Sequence, residues 1–273
     1  MGNYSKSITN RFQHTKINEG YCVICGTFGK LSPDHVPPKG SISVTKTEQR
    51  HITEMMGAKS VKVKGITSTN GSKFKTICHR CNNYHLGQHD HLISEVNKQL
   101  TLQINAHILN PSNNIVSASV SALGYARAMV GHILAATSVS ECKKPIASSP
   151  YFDPLRQFVL GNNDVLEETH DIYYWFYPFS MHLSAKFVGF KNDNHLACVS
   201  LLSFYPLAFM ITKKSEGIFP THARKLNLSD QELTLNLTSD GFAYAEFPFI
   251  ELKGNQMMAL TDFQAIVSYP IKS

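Results

Sequence analysis

Between residues 92 and 109, apolar residues at 92, 93, 96, 100, 104 and 108 have the spacing of a helix that buries one stripe and docks by it. From 116 to 139 small and apolar residues dominate. Ala118, Ala122, Ala126, Ala128 and Ala135 surround Leu123, Met129, Ile133 and Leu134, which predicts one buried helix. Arg127 and His132 inside it are expected to reach the surface along their apolar stems. Three prolines between 145 and 154 then mark a boundary. Beyond it the texture becomes aromatic and β-branched, in runs at 172–179, 182–190, 196–211 and 233–250. Gly189, Asn192-Asp193-Asn194 and Ser239-Asp240-Gly241 separate these runs and predict the hairpins of an antiparallel sheet. Tyr173, Tyr174, Trp175, Phe176 and Tyr177 are expected to fill its core rather than to stack nucleic-acid bases. Nearer the start, Lys73-Phe74-Lys75-Thr76-Ile77 reads as a strand, and the alternation Val61-Lys62-Val63-Lys64 as a strand edge. The expected organisation is α+β: residues 1–110, a helical connector at 111–150, and a β-rich segment at 151–273.

Two Cys-x-x-Cys pairs change this picture. Cys22 and Cys25 precede Cys78 and Cys81 with 52 residues between the pairs, a spacing that lets four thiolates surround one Zn²⁺ tetrahedrally. A redox role for either pair is disfavoured, since neither sits in a βαβ pattern. Asp34-His35 follows the first pair by eight residues, and Asn82 follows the second pair directly. A metal joining the pairs would draw these three residues together. Cys142 and Cys198 remain as expected buried thiols.

Charge is uneven. The net value is +6, yet residues 1–110 hold 14 Lys and Arg against 6 Asp and Glu, while the rest hold 12 against 14. A basic segment that coincides with the cysteine pairs fits a polyanionic partner. Lys39, Lys62, Lys64, Lys73 and Arg80 are the candidate phosphate contacts; the lysines of the 40–70 insert serve equally well to blunt a sheet edge. Residues 1–19 read as a basic arm or a frayed terminus.

Together, Tyr21-Cys22-Val23-Ile24-Cys25, Asp34-His35-Val36-Pro37-Pro38 and Ile77-Cys78-His79-Arg80-Cys81-Asn82 resemble the zinc-ribbon branch of the HNH endonuclease family, over residues 20–105. The resemblance implies a ββα-metal core. It implies a structural Zn²⁺ on Cys22, Cys25, Cys78 and Cys81. A catalytic Mg²⁺ or similar ion would be held by Asp34 and Asn82, with His35 as general base. The family's middle Asn has no clear counterpart, Asn70 being the nearest, and the usual Lys three residues beyond Asn82 is replaced by His85, a further candidate ligand.

The expected activity is hydrolysis of phosphodiester bonds in nucleic acid, DNA foremost, in a setting such as phage defence, restriction or a mobile element. The alternative is a zinc-ribbon module that binds nucleic acid without cutting it. A protein-interaction scaffold would leave the basic bias unexplained. The β-rich segment is expected to serve targeting, a protein partner or self-association. Residues 1–20 lack an apolar core, and the longest apolar run, 196–211, contains Ser203 and Pro206, so a cytoplasmic protein without a membrane span is expected.

Overall fold

The computed structural model describes residues 14–42, 46–52, 65–111, 113–192, 195–238, 245–247, 256–258 and 265–271. Strands β1 (Glu19–Tyr21) and β2 (Phe28–His35) form a hairpin across the first cysteine pair. After β3 (Thr47–His51) and β4 (Ile66–Ser68), β5 (Lys73–Cys78) returns antiparallel to β2. A π-helical turn (Cys81–Leu86) leads into α1 (Asp90–Leu109). Then come β6 (Ile115–Ser119), α2 (Ala122–Ala135), a 3₁₀ turn (Val139–Lys143), α3 (Phe152–Val159) and α4 (Asp164–Thr169). The rest is β: β7 (His170–Phe176), β8 (His182–Asn192), β9 (His195–Phe204), β10 (Leu207–Lys213), β11 (Arg224–Leu226), β12 (Glu232–Asn236), β13 (Gln256–Met258) and β14 (Ala265–Pro270).

The architecture is α+β, as the patterning predicted. A large antiparallel sheet runs β11-β7-β10-β9-β8-β14-β3-β4, with β13 also on β8; β1-β2-β5 and β12-β6 make two smaller sheets. The 196–211 run splits at Tyr205-Pro206 into the hairpin β9–β10, whose two strands pair from Leu207↔Phe204 onwards. Tyr173, Tyr174, Trp175 and Tyr177 are buried, with Trp175 Nε1 donating to the Ala245 carbonyl at 3.0 Å. No helix among the described residues is long and apolar enough to cross a membrane.

Helix α1 buries Ile93, Val96, Leu100 and Ile104, while Ile108 lies beyond the docking surface and is exposed. The single helix expected over 116–139 is instead a strand followed by a helix. Val116, Ala118 and Val120 alternate with Ser117 and Ser119, a period of two that satisfies a strand, and β6 pairs with β12 through Ala118↔Leu233 and Val116↔Leu235. Gln99 and Gln103 of α1 hold its other edge by hydrogen bonds to the main chain of Ser119 and Ser117.

The three expected segments interlock. Strands β3 and β4, which lie between the two cysteine pairs in sequence, extend the large sheet through β14, with Thr47↔Pro270 and Ile266↔His51 in register. One hydrophobic cluster joins Ile24, Phe74 and Ile93 to Ile133, Phe209 and Ile266; a second, on the opposite face of the sheet, contains Trp175, Tyr177 and Met210. Helix α2 is buried on nearly every side and touches β2, β5, the π-helical turn, α1, α3, β8 and β9. It is the element against which the cysteine-bearing hairpin is set.

Candidate metal centre and adjoining polar site

Both cysteine pairs lie on tight turns shaped by local chemistry. In the first, Gly26 adopts φ 74°, a left-handed conformation that suits glycine, and its N–H donates to the Cys22 carbonyl at 2.9 Å. In the second, the N–H of Gly87 reaches back to the Asn82 carbonyl at 2.9 Å and closes the π-helical turn. Strands β2 and β5 bring the two turns together, and the four sulfur atoms all lie within 4.8 Å of one another. Cys25 Sγ and Cys78 Sγ are 3.7 Å apart. A tetrahedral ion with metal–sulfur bonds of about 2.3 Å needs sulfur–sulfur edges of about 3.8 Å. The donor set can therefore hold a metal ion such as zinc. The Cys22 thiol is drawn down to about 5, chiefly by a hydrogen bond from Cys81 against the opposing effect of burial, with help from main-chain N–H groups. A thiolate with such support is the form that ligates metal.

Asp34 and His35 lie at the end of β2, beyond a register shift. Leu31 pairs with Cys78 and Ser32 with Ile77, but Asp34 pairs with Phe74 and His35 with Lys73. The irregularity re-phases the strand, so that Asp34 joins Leu31 in facing inward while Pro33 is exposed. Buried Asp34 meets α2: His132 Nδ1 is 2.8 Å from Asp34 Oδ2, and His132 Nε2 is 2.9 Å from Asp90 Oδ1 at the start of α1. The expectation that His132 reaches the surface is overturned, because α2 has no polar face through which it could emerge; the ring is fully buried. Burial opposes its charge, but the Asp34 and Asp90 carboxylates lift its pKa to about 10. Asp90 gains in turn: burial works against its ionised form, and the hydrogen bond from His132 holds its carboxyl below the usual range. Arg127 is half-buried, donating to the Phe158 carbonyl at 3.1 Å and to Asn163.

His35 is half-buried. Its ring lies near the Asn70 main chain, while Nε2 is shielded from solvent and has no hydrogen-bond partner among the described residues. Burial, and then the nearby Lys73 charge, lower the His35 pKa and favour the neutral ring. Asn82 Nδ2 donates to Ser32 Oγ and to the Pro33 carbonyl, both at 3.0 Å, so its amide stands beside the residues that precede Asp34. His85 lies on the same turn, edge-on to Tyr84 at 5.1 Å, and burial pulls its pKa down. Lys39 and Arg80 are exposed and Lys73 is half-buried; Lys62 and Lys64 lie outside the described residues.

Comparison with known protein families, with curated proteins and with solved structures finds no match for this chain. The site therefore has to be read from its own geometry. Sequence reasoning named Asp34, His35, Asn82 and the four cysteines, and missed the pairing of Asp90 with His132. The available signal was a histidine in a helix that is apolar but for Arg127, where a buried imidazole needs a polar partner.

Proposed function

We propose that this chain is a metal-dependent HNH-type endonuclease that hydrolyses phosphodiester bonds in nucleic acid, with DNA the expected substrate and a structural Zn²⁺ on the four cysteines. The reading is carried by the hydrogen bonds of Asn82 to Ser32 and Pro33, which bring it to the strand that carries Asp34-His35 although Asp34 and Asn82 are far apart in sequence. Because Asn82 Nδ2 is spent on those bonds, its amide oxygen is left to act as a ligand. That oxygen and a carboxylate oxygen of Asp34 are hard donors suited to Mg²⁺ rather than to a thiophilic ion. A bound Mg²⁺ would neutralise phosphate charge and stabilise the departing 3′-oxygen.

The protein's own groups would supply the remainder. Nε2 of His35, which carries no hydrogen bond among the described residues, would be the lone-pair nitrogen that accepts a proton from the attacking water. The lowered pKa keeps that lone pair available near neutral pH. Exposed Lys39 and Arg80, with Lys73, would meet the phosphate backbone. The β1–β2–β5 sheet with the following helices would correspond to the ββα-metal core.

Two observations favour a second reading, a zinc-ribbon module that binds nucleic acid without cutting it. Nε2 of His35 is shielded from solvent, and the Asp34 carboxylate is already engaged by His132. The two readings part in one experiment. Purified protein is incubated with plasmid and oligonucleotide DNA and RNA, with Mg²⁺ or with EDTA, beside His35→Ala. Nuclease action predicts Mg²⁺-dependent cutting that falls by roughly two or more orders of magnitude in the variant, with zinc content and nucleic-acid affinity retained. Binding without cutting under any divalent ion, or native-rate cutting by His35→Ala, would install the second reading.

A further inference from the structure

Helix α2 backs both halves of the candidate site. Through His132 it holds the Asp34 carboxylate, and through the neighbouring Gly131 it admits the turn that carries Asn82. A Cβ at Gly131 would stand 2.7 Å from Leu86 Cδ1 and 2.8 Å from Leu86 Cγ, and Leu86 is fully buried, so only glycine allows this approach. Thr76 Oγ1 donates to the Ala135 carbonyl at 2.6 Å and pins the end of α2 to β5. The helix is thereby fixed to both strands of the hairpin.

An imidazole at such a position is an expensive filler. A buried polar ring is unfavourable unless its nitrogens are paired, and an apolar side chain of similar size would fill the same space without that requirement. Yet β2, α1 and α2 converge to give each ring nitrogen of His132 its own carboxylate at hydrogen-bond distance. The Asp90 end of this chain of bonds is the more open one: its side chain is 36% exposed, against 6% for Asp34 and 0% for His132.

We infer that His132 is a positioning residue for Asp34, fixing the carboxylate by one oxygen so that the other is presented for a divalent ion, and that Asp90 locks the His132 ring in turn. The inference rests on the reading of Asp34 as an ion ligand. It deepens that reading by assigning two residues that touch neither ion nor substrate. Ligating groups are commonly oriented by hydrogen bonds of this kind, and losing one typically weakens metal affinity about 10–100-fold.

Substitution of His132 itself risks the fold, so Asp90 is the better probe. Mn²⁺ binding to zinc-loaded protein would be followed by calorimetry and by the electron-spin resonance of free Mn²⁺, for the native chain, Asp34→Ala, Asp90→Ala and Asp90→Asn, with zinc content and circular dichroism as checks on folding. Asp34→Ala should abolish the site. Asp90→Ala should weaken it about 10–100-fold, whereas Asp90→Asn, which keeps an oxygen to accept from His132, should stay close to native. A merely structural role for the trio would lower the melting temperature of Asp90→Ala and leave Mn²⁺ affinity unmoved, which would overturn the inference. Equal losses in Asp90→Ala and Asp90→Asn would also overturn it, since charge and not geometry would then be responsible. Absence of an Asp34-dependent Mn²⁺ site sinks it whether or not the protein cuts. An Asp34- and Asp90-dependent site in a protein that cuts nothing would instead uphold the clamp and remove the nuclease reading.

Discussion

Two regions of the molecule bury histidine and treat it in opposite ways. Beside the cysteine hairpin, His132 is enclosed by α2, β2 and α1, and the two carboxylates it meets raise its pKa to about 10 despite burial. In the large sheet, His170 of β7 and His182 of β8 are also enclosed, but burial dominates and lowers each to about 4. His170 Nε2 and His182 Nδ1 have no hydrogen-bond partner among the described residues. Burial acts alike in both places; what differs is a carboxylate hydrogen-bonded to the ring. The sheet encloses its histidines without such a partner, whereas the hairpin region sets a buried ring between two carboxylates. The second arrangement is the one that calls for a functional account.

The largest effect that would separate the regions comes from the metal. In Cys78→Ser the remaining thiols should fail to hold zinc, and since the apparent binding free energy of a structural zinc can reach about 10–16 kcal/mol, the hairpin should lose its order. Hydrogen exchange should then show protection vanishing in β2 and β5 before β9 and β10. Zinc below about half an equivalent in well-folded native protein would contradict the assignment, half being the tolerance for partial occupancy.

Next comes His132→Leu. Removing the cation leaves the Asp34 carboxylate buried beside a methyl group, a loss of about 3–5 kcal/mol when one partner of a buried ionic group is taken away. The pH dependence gives the sign. A histidine whose folded pKa lies above its unfolded value of 6.5 contributes fully below pH 6.5 and loses that contribution as pH rises towards about 10. The deficit of His132→Leu in urea unfolding should accordingly be large at pH 6 and shrink by pH 9. A deficit that is the same at both would show that His132 is neutral in the folded chain.

The smallest effect runs the other way. His182 binds protons less readily when folded than when unfolded, so between pH 6.5 and about 4 the unfolded chain takes up a proton that the folded chain refuses. Stability falls as pH falls through that window, by at most about 1.4 kcal/mol per pH unit for each such histidine. His182→Gln should remove one of these contributions, and urea midpoints at pH 7 and pH 4.5 should differ less for the variant than for the native chain. An unchanged difference would mean that His182 is not buried as a neutral ring.

Much of the local structure was legible in the residues. The spacing of Ile93, Val96, Leu100 and Ile104 announced α1, and the aromatic runs announced antiparallel strands; each depends on periodicity within a few residues. The cysteines were legible at longer range, because ligand spacing is itself a local signature that occurs twice.

Other features were decided only by the tertiary structure. The register shift that turns Asp34 inward depends on how β2 meets β5, and the extension of the large sheet by β3 and β4 depends on β14, more than 200 residues later in the chain. His132 met Asp34 across 98 residues and Asp90 across 42. Nothing in the neighbours of any of the three encodes that meeting. Hydrophobic burial places an element by its apolar face and is indifferent to which polar group it carries inward. The residue pattern alone settled most of the elements and the ligand spacing of the two cysteine pairs. The packing of α2 between hairpin and sheet decided which charges would face one another once water had been excluded.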